Sequence, residues 1–178
     1  MALPAECGPG SARHRKRIMN DSTILRRLRL FLLALAGLVF LVTPVELWLT
    51  EHFDTPVQFI PFVLCALGLI AVVLVLLAPR RGTIIGLRGA AVVIILGSLL
   101  GIYEHLANNM AFELDIRPNA VAADVLLDAL KGASPMLAPG ILAFGALLAL
   151  AATYYHPALA VARTDVASTE SNATAQTA

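Results

Sequence analysis

Four long apolar runs constrain this chain more than any other feature. They are Leu30–Thr50, Thr55–Pro79, Thr83–Tyr103 and Leu137–Tyr155. A bilayer core of about 30 Å takes roughly 20 apolar residues in one helix. Lipid offers no partner to an open backbone, so a run that crosses it singly must be helical. The chain has 178 residues, 58% of them hydrophobic, which is more than a soluble domain usually carries. The expectation is an all-α integral membrane protein with four transmembrane helices, about 30–50, 55–79, 83–103 and 137–155. Three units follow: a disordered basic arm (1–22), a four-helix transmembrane domain (23–157, outer loop 104–136) and a disordered polar tail (158–178). No room is left for a separate soluble domain.

Net charge is only +1, but its distribution is directional. Arg13, Arg15, Lys16, Arg17, Arg26, Arg27 and Arg29 precede the first run, Arg80, Arg81 and Arg88 flank the second turn, and Arg163 follows the last run. The positive-inside rule then puts both termini in the cytoplasm. The opposite face holds Glu46, Glu51, Asp54, Glu104, Glu113, Asp115, Asp124 and Asp128 against Arg117 and Lys131, and such an acidic face attracts cations. Arg26, Arg27 and Arg29 are expected to meet anionic lipid headgroups, each worth about 1 kcal/mol. That role explains the basic arm better than nucleic-acid binding does.

Local signals refine the spans. Asn20-Asp21-Ser22 offers capping oxygens where the first helix is expected to start. Pro44 interrupts that helix, and Trp48 marks an interface. The first run is too long for the apolar region of a cleaved signal and reads as a retained helix. Arg88 must reach toward the cytoplasm if the third run is to span. Gly97 and Gly101 form a small-residue pair, with Gly140 and Gly145 on the last run, so those two helices are expected to pack closely. In the outer loop, Phe112–Arg117 alternates apolar and charged residues and predicts a short strand. Residues 119–131 predict an amphipathic helix on the membrane surface or capping the bundle. Cys7 and Cys65 fall in different compartments and cannot pair. Asn172 heads a glycosylation sequon that the topology puts inside.

One constellation carries chemistry. Glu46, Glu51, His52 and Asp54 leave the first helix, while Glu104 and His105 leave the third, all at the acidic face. Imidazole and carboxylate ligate metals or move protons, and an ionisable group within a span marks a candidate site. Glu51-His52-Phe53 is echoed 53 residues later by Glu104-His105-Leu106, as a duplicated hairpin would give. Against a metal centre, no HxxH, HExxH or ExxH spacing is present. Walker, dinucleotide, GxSxG and CxxC motifs are also missing.

The leading expectation is a non-enzymatic multipass protein of the bacterial cytoplasmic membrane. It would be an accessory or assembly subunit of the cell envelope, joined to a membrane partner or to copies of itself. A cation- or proton-coupled transporter or channel with an acidic outer mouth is the alternative. A metal- or haem-binding redox protein using His52 and His105 is the third reading; otherwise no cofactor is expected.

Overall fold

The computed structural model describes residues 9–132, 134 and 137–159. Five α-helices follow in order: α1 (Pro9–Leu49), α2 (Ile60–Leu77), α3 (Arg81–Ile116), α4 (Ala122–Leu130) and α5 (Leu137–Ala152), with a 3-10 turn at Pro56–Phe59. No strand occurs among the described residues.

Buried side chains recur at alternating steps of three and four. On α1 they are Leu33, Ala36, Phe40 and Thr43; on α2, Cys65, Gly68, Val72 and Val75. On α3 they are Ile84, Leu87, Ala91, Ile94 and Ser98; on α5, Leu142, Ala146, Ala149 and Thr153 just past its end. This is the spacing that interlocks helices side by side. Each of α1 and α3 packs on both α2 and α5, and neighbours run antiparallel. Gly68 of α2 sits on the ring of Phe40, Gly97 of α3 on Leu64, and Gly145 of α5 on Val39 and Phe40. Away from that stripe the helices stay apolar and exposed, with Phe31, Leu41, Val63, Ile70, Val92, Leu96, Phe144 and Leu147 facing outward. A contiguous apolar exterior of this kind fits lipid and not water.

Three helices, within Asp21–Leu49, Pro56–Leu77 and Arg81–Ile116, are long and apolar enough to cross a membrane. At 16 residues, α5 is about 24 Å long, short of a full hydrocarbon core. The fourth run therefore ends earlier as a helix than its apolar length implied.

Several expectations are corrected. Residues 9–22 of the basic arm are part of α1; residues 1–8 and the tail 160–178 lie outside the described residues. Proline suits a first helical position, and Arg and Lys are good helix formers, so Asn20-Asp21-Ser22 lies inside α1. The predicted strand at Phe112–Arg117 is the end of α3, which runs 36 residues, about 54 Å. An alternating segment with no strand beside it cannot pair its backbone, whereas a helix pairs its own. Phe112 and Ile116 stay exposed there. α3 and α5 pack closely, as expected, but the glycines share the contact unevenly. Gly97 serves the α2 contact and Gly145 the α1 contact, Gly140 faces open space, and only Gly101 meets the neighbour foreseen, Pro139 of α5.

At the basic end, Arg29 and Arg88 hold the turn that follows α5. Arg29 Nη2 donates to the carbonyls of Tyr155 (2.8 Å) and Tyr154 (3.4 Å). The last carbonyls of a helix lack internal partners and carry partial negative charge, so a guanidinium completes them. Of the three arginines expected at lipid headgroups, Arg26 and Arg27 are exposed, while half-buried Arg29 also holds the chain just after α5.

At the other end, α4 folds back on α3. Arg117 bridges Glu113 on α3 and Asp128 on α4, holding the Asp128 carboxyl below the usual range, mainly through the hydrogen bond from Arg117. Val125 and Ala129 are buried, as an amphipathic helix requires, while Leu127 stays exposed.

Candidate functional site

The stripe of buried residues turns polar toward the acidic end. Thr43, Glu46 and Thr50 continue the inner face of α1, and Ser98, Glu104, His105 and Asn108 continue that of α3. They surround a cavity of about 750 Å³, walled on its remaining sides by Val57, Pro61 and Leu64, and by Pro139, Ile141 and Leu142. Drug-sized molecules occupy cavities of roughly 300–1,000 Å³.

The turn after α1 delivers His52 to this space. Glu51 adopts a left-handed backbone (φ 53°). His52 N donates to Leu47 O (2.9 Å) and Glu51 N to Trp48 O (3.2 Å), the paired bonds of a helix that ends in a left-handed residue. The reversal turns His52 over the end of the bundle and leaves Glu51 exposed. A second turn closes this side, where Thr55 N donates to Gln58 Oε1 (2.9 Å).

Of the six residues expected to cluster, four converge: Glu46, His52, Glu104 and His105 all line the cavity. Glu51 and Asp54 do not, although Asp54 still acts electrostatically on His52. The rings of His52 and His105 lie 6.3 Å apart between centroids. Burial, and then the neighbouring His105, push the His52 imidazole below its ordinary value of 6.5, with Asp54 opposing. His52 is therefore neutral at pH 7.

Two groups here lack partners. Ser98 is 1% exposed, and its Oγ makes no hydrogen bond; nor does the buried Nδ1 of His105. Buried polar atoms are normally satisfied, and both residues belong to the cavity wall. As for metals, no three His, Cys, Asp or Glu side chains among the described residues converge around one point.

Composition and spacing hid three parts of this site. Ser98 follows Gly97 and in the sequence looks like one more small packing residue. Gly97 and Gly101 line the cavity as well as packing. Thr43 lies one residue before the proline and donates to Val39 O (2.8 Å). A serine or threonine in step with the buried stripe, near its polar end, is the signal that finds such positions. The echo between the two Glu-His pairs does not extend to local structure, since one lies in a turn and the other within α3.

No protein-family model, curated protein or solved structure matches the chain.

Proposed function

We propose that this chain is a non-enzymatic multipass protein of the bacterial cytoplasmic membrane, crossing it four times with both termini inside. It serves as an accessory or assembly subunit of a larger envelope complex. Charge supports the orientation: Arg26, Arg27, Arg29, Arg80, Arg81 and Arg88 gather at one end, and Glu46, Glu51, Asp54 and Glu104 at the other. α5 takes part as the fourth span although it is short, because lipid thins around a short helix at modest cost. Arg29 and Arg88 then mark the inner headgroup level.

One observation carries the accessory role. The end of α3 and α4 form a projecting hairpin with Phe112 (61% exposed), Ile116, Val121 and Leu127 (68% exposed) uncovered beside charged groups. Large apolar side chains left uncovered on a segment beyond the spanning lengths suit an interaction surface.

Two measurements test this. Reporter fusions at residue 178 and near Leu114 should report opposite compartments; the same compartment for both defeats the topology. In mild detergent the protein should run as a stoichiometric complex, with a partner or with itself, that dissociates on Phe112→Glu or Leu127→Glu. A monodisperse monomer defeats the accessory reading.

A second reading, cation- or proton-coupled transport, draws support from Glu46, His52, Glu104 and His105 sharing one cavity. Proteoliposomes should then show pH- or cation-dependent flux that Glu46→Gln abolishes, and no flux above empty liposomes removes it.

A further inference from the structure

We propose that the cavity between α1, α2, α3 and α5 binds an amphiphilic ammonium: a primary amine head on an apolar body. The inference rests on the reading above only for the side of the membrane on which the cavity opens.

The argument starts from what the cavity lacks. Among the described residues, the carboxyls of Glu46 and Glu104 have no hydrogen bond or ion pair, and no lysine or arginine lines the space. Ser98 Oγ, nine-tenths buried and more, has no partner, and neither has Nδ1 of His105. Carboxylates only accept hydrogen bonds, and a hydroxyl accepts as well. A head that satisfies such a set is rich in N–H donors and positively charged, which describes a primary ammonium. An anionic head would meet two carboxylates with no compensating charge, at a cost that grows with burial.

The walls choose the body. Leu47, Val57, Ile60, Pro61, Leu64 and Leu142 are all aliphatic, so an apolar group is desolvated while its head stays among the polar residues. Two kinds of molecule carry this chemistry: an ethanolamine lipid of the bilayer, and a soluble lipophilic amine. A bare metal cation satisfies the carboxylates but not the aliphatic wall.

Full-length protein in nanodiscs of phosphatidylcholine and phosphatidylglycerol is titrated with 2-naphthylethylammonium. The matching alcohol, 2-naphthylethanol, is the control, and empty discs give the partition background. Both faces of a disc are accessible, so the outcome is independent of topology in the cell. Amine binding at least ten-fold tighter than alcohol binding, weakened at least ten-fold in Glu104→Gln, sustains the proposal. Should Glu104→Gln lose helicity, Glu46→Gln takes its place, because that side chain is exposed and outside the buried core. Equal retention of amine and alcohol, binding indifferent to both substitutions, or no protein-dependent binding overturns it. Repeating the titration with phosphatidylethanolamine in the disc separates the sources. A several-fold weaker apparent affinity identifies the lipid amine as occupant, and an unchanged one identifies a soluble amine; both sustain the ammonium site.

Discussion

Asn109 and Ser134 exchange hydrogen bonds across 25 residues. The Asn109 amide Nδ2 donates to Ser134 O at 2.9 Å, and Ser134 N donates back to Asn109 Oδ1 at 3.0 Å. The same Nδ2 donates to Ala129 O (2.9 Å). One buried side chain thus does for the loop what a strand would do, pairing backbone that has no other partner. Gly132 packs against the same amide, which leaves no room for a side chain there.

Asn109→Asp should release this hairpin, because a carboxylate keeps the acceptor but loses both donations. Unsatisfied buried groups cost about 1–3 kcal/mol each, so a loss of about 2 kcal/mol is expected. Hydrogen exchange across residues 122–134 should rise while the α1–α2 contact stays protected. Unchanged protection in the hairpin would refute the role.

Gly68 and Gly140 should respond oppositely to alanine. A Cβ on Gly68 meets the Phe40 ring at 2.7 Å, whereas one on Gly140 meets nothing within 4 Å. Overpacking costs about 1–3 kcal/mol, so Gly68→Ala should unfold at lower denaturant. Gly140→Ala should gain up to about 1 kcal/mol from helix propensity. Unfolding of the two variants in one detergent decides the sign of each.

Arg88 should matter more than an ordinary interfacial arginine. Its Nε donates to Thr153 Oγ1 (2.9 Å) and its Nη2 to Thr153 O (3.0 Å), while that hydroxyl donates onward to Leu150 O (2.7 Å). Arg88→Ala should destabilise by about 2–3 kcal/mol, the range for hydrogen bonds to charged groups. Arg88→Lys should recover only part of it, since an ammonium cannot reproduce the fork. Full recovery by lysine, measured as the detergent unfolding midpoint, would show that charge alone is needed.

Glu51 should tolerate glycine and resist valine. Its left-handed backbone (φ 53°) costs a residue with a Cβ about 1–2 kcal/mol. Glu51→Gly should therefore raise the melting temperature without changing amine binding, and Glu51→Val should lower it. A loss of binding in Glu51→Gly would return this carboxyl to the site.

Acid should weaken the fold through His52 and His156. Both imidazoles lie below their ordinary value of 6.5: His52 through burial, then His105, against Asp54; His156 through burial, then Arg29 and Arg88. Well above pH 6.5 these groups are neutral folded or unfolded and contribute no pH dependence. As pH falls from 6.5 toward the lower folded values, the unfolded chain binds more protons and stability declines. Melting temperature against pH should flatten below 6.5 in His52→Gln/His156→Gln. An unchanged slope in that double variant would locate the acid sensitivity elsewhere.

The sequence by itself determined the helical class, the apolar lengths and the separation of basic from acidic ends. Those properties come from composition and from the inability of lipid to satisfy a bare backbone, and neither depends on which helix meets which. It also brought forward Glu46, His52, Glu104 and His105, because ionisable groups at the ends of apolar runs stand out. Only the tertiary structure decided that Glu51 and Asp54 turn away, that Gly97 packs on α2 and Gly145 on α1, and that Arg29, Arg88 and Asn109 are structural ties. Runs apolar on every side give no hint of which stripe faces inward. That choice is made by contact between helices, and the cavity exists only where the stripes of α1 and α3 turn polar at one level between the aliphatic faces of α2 and α5.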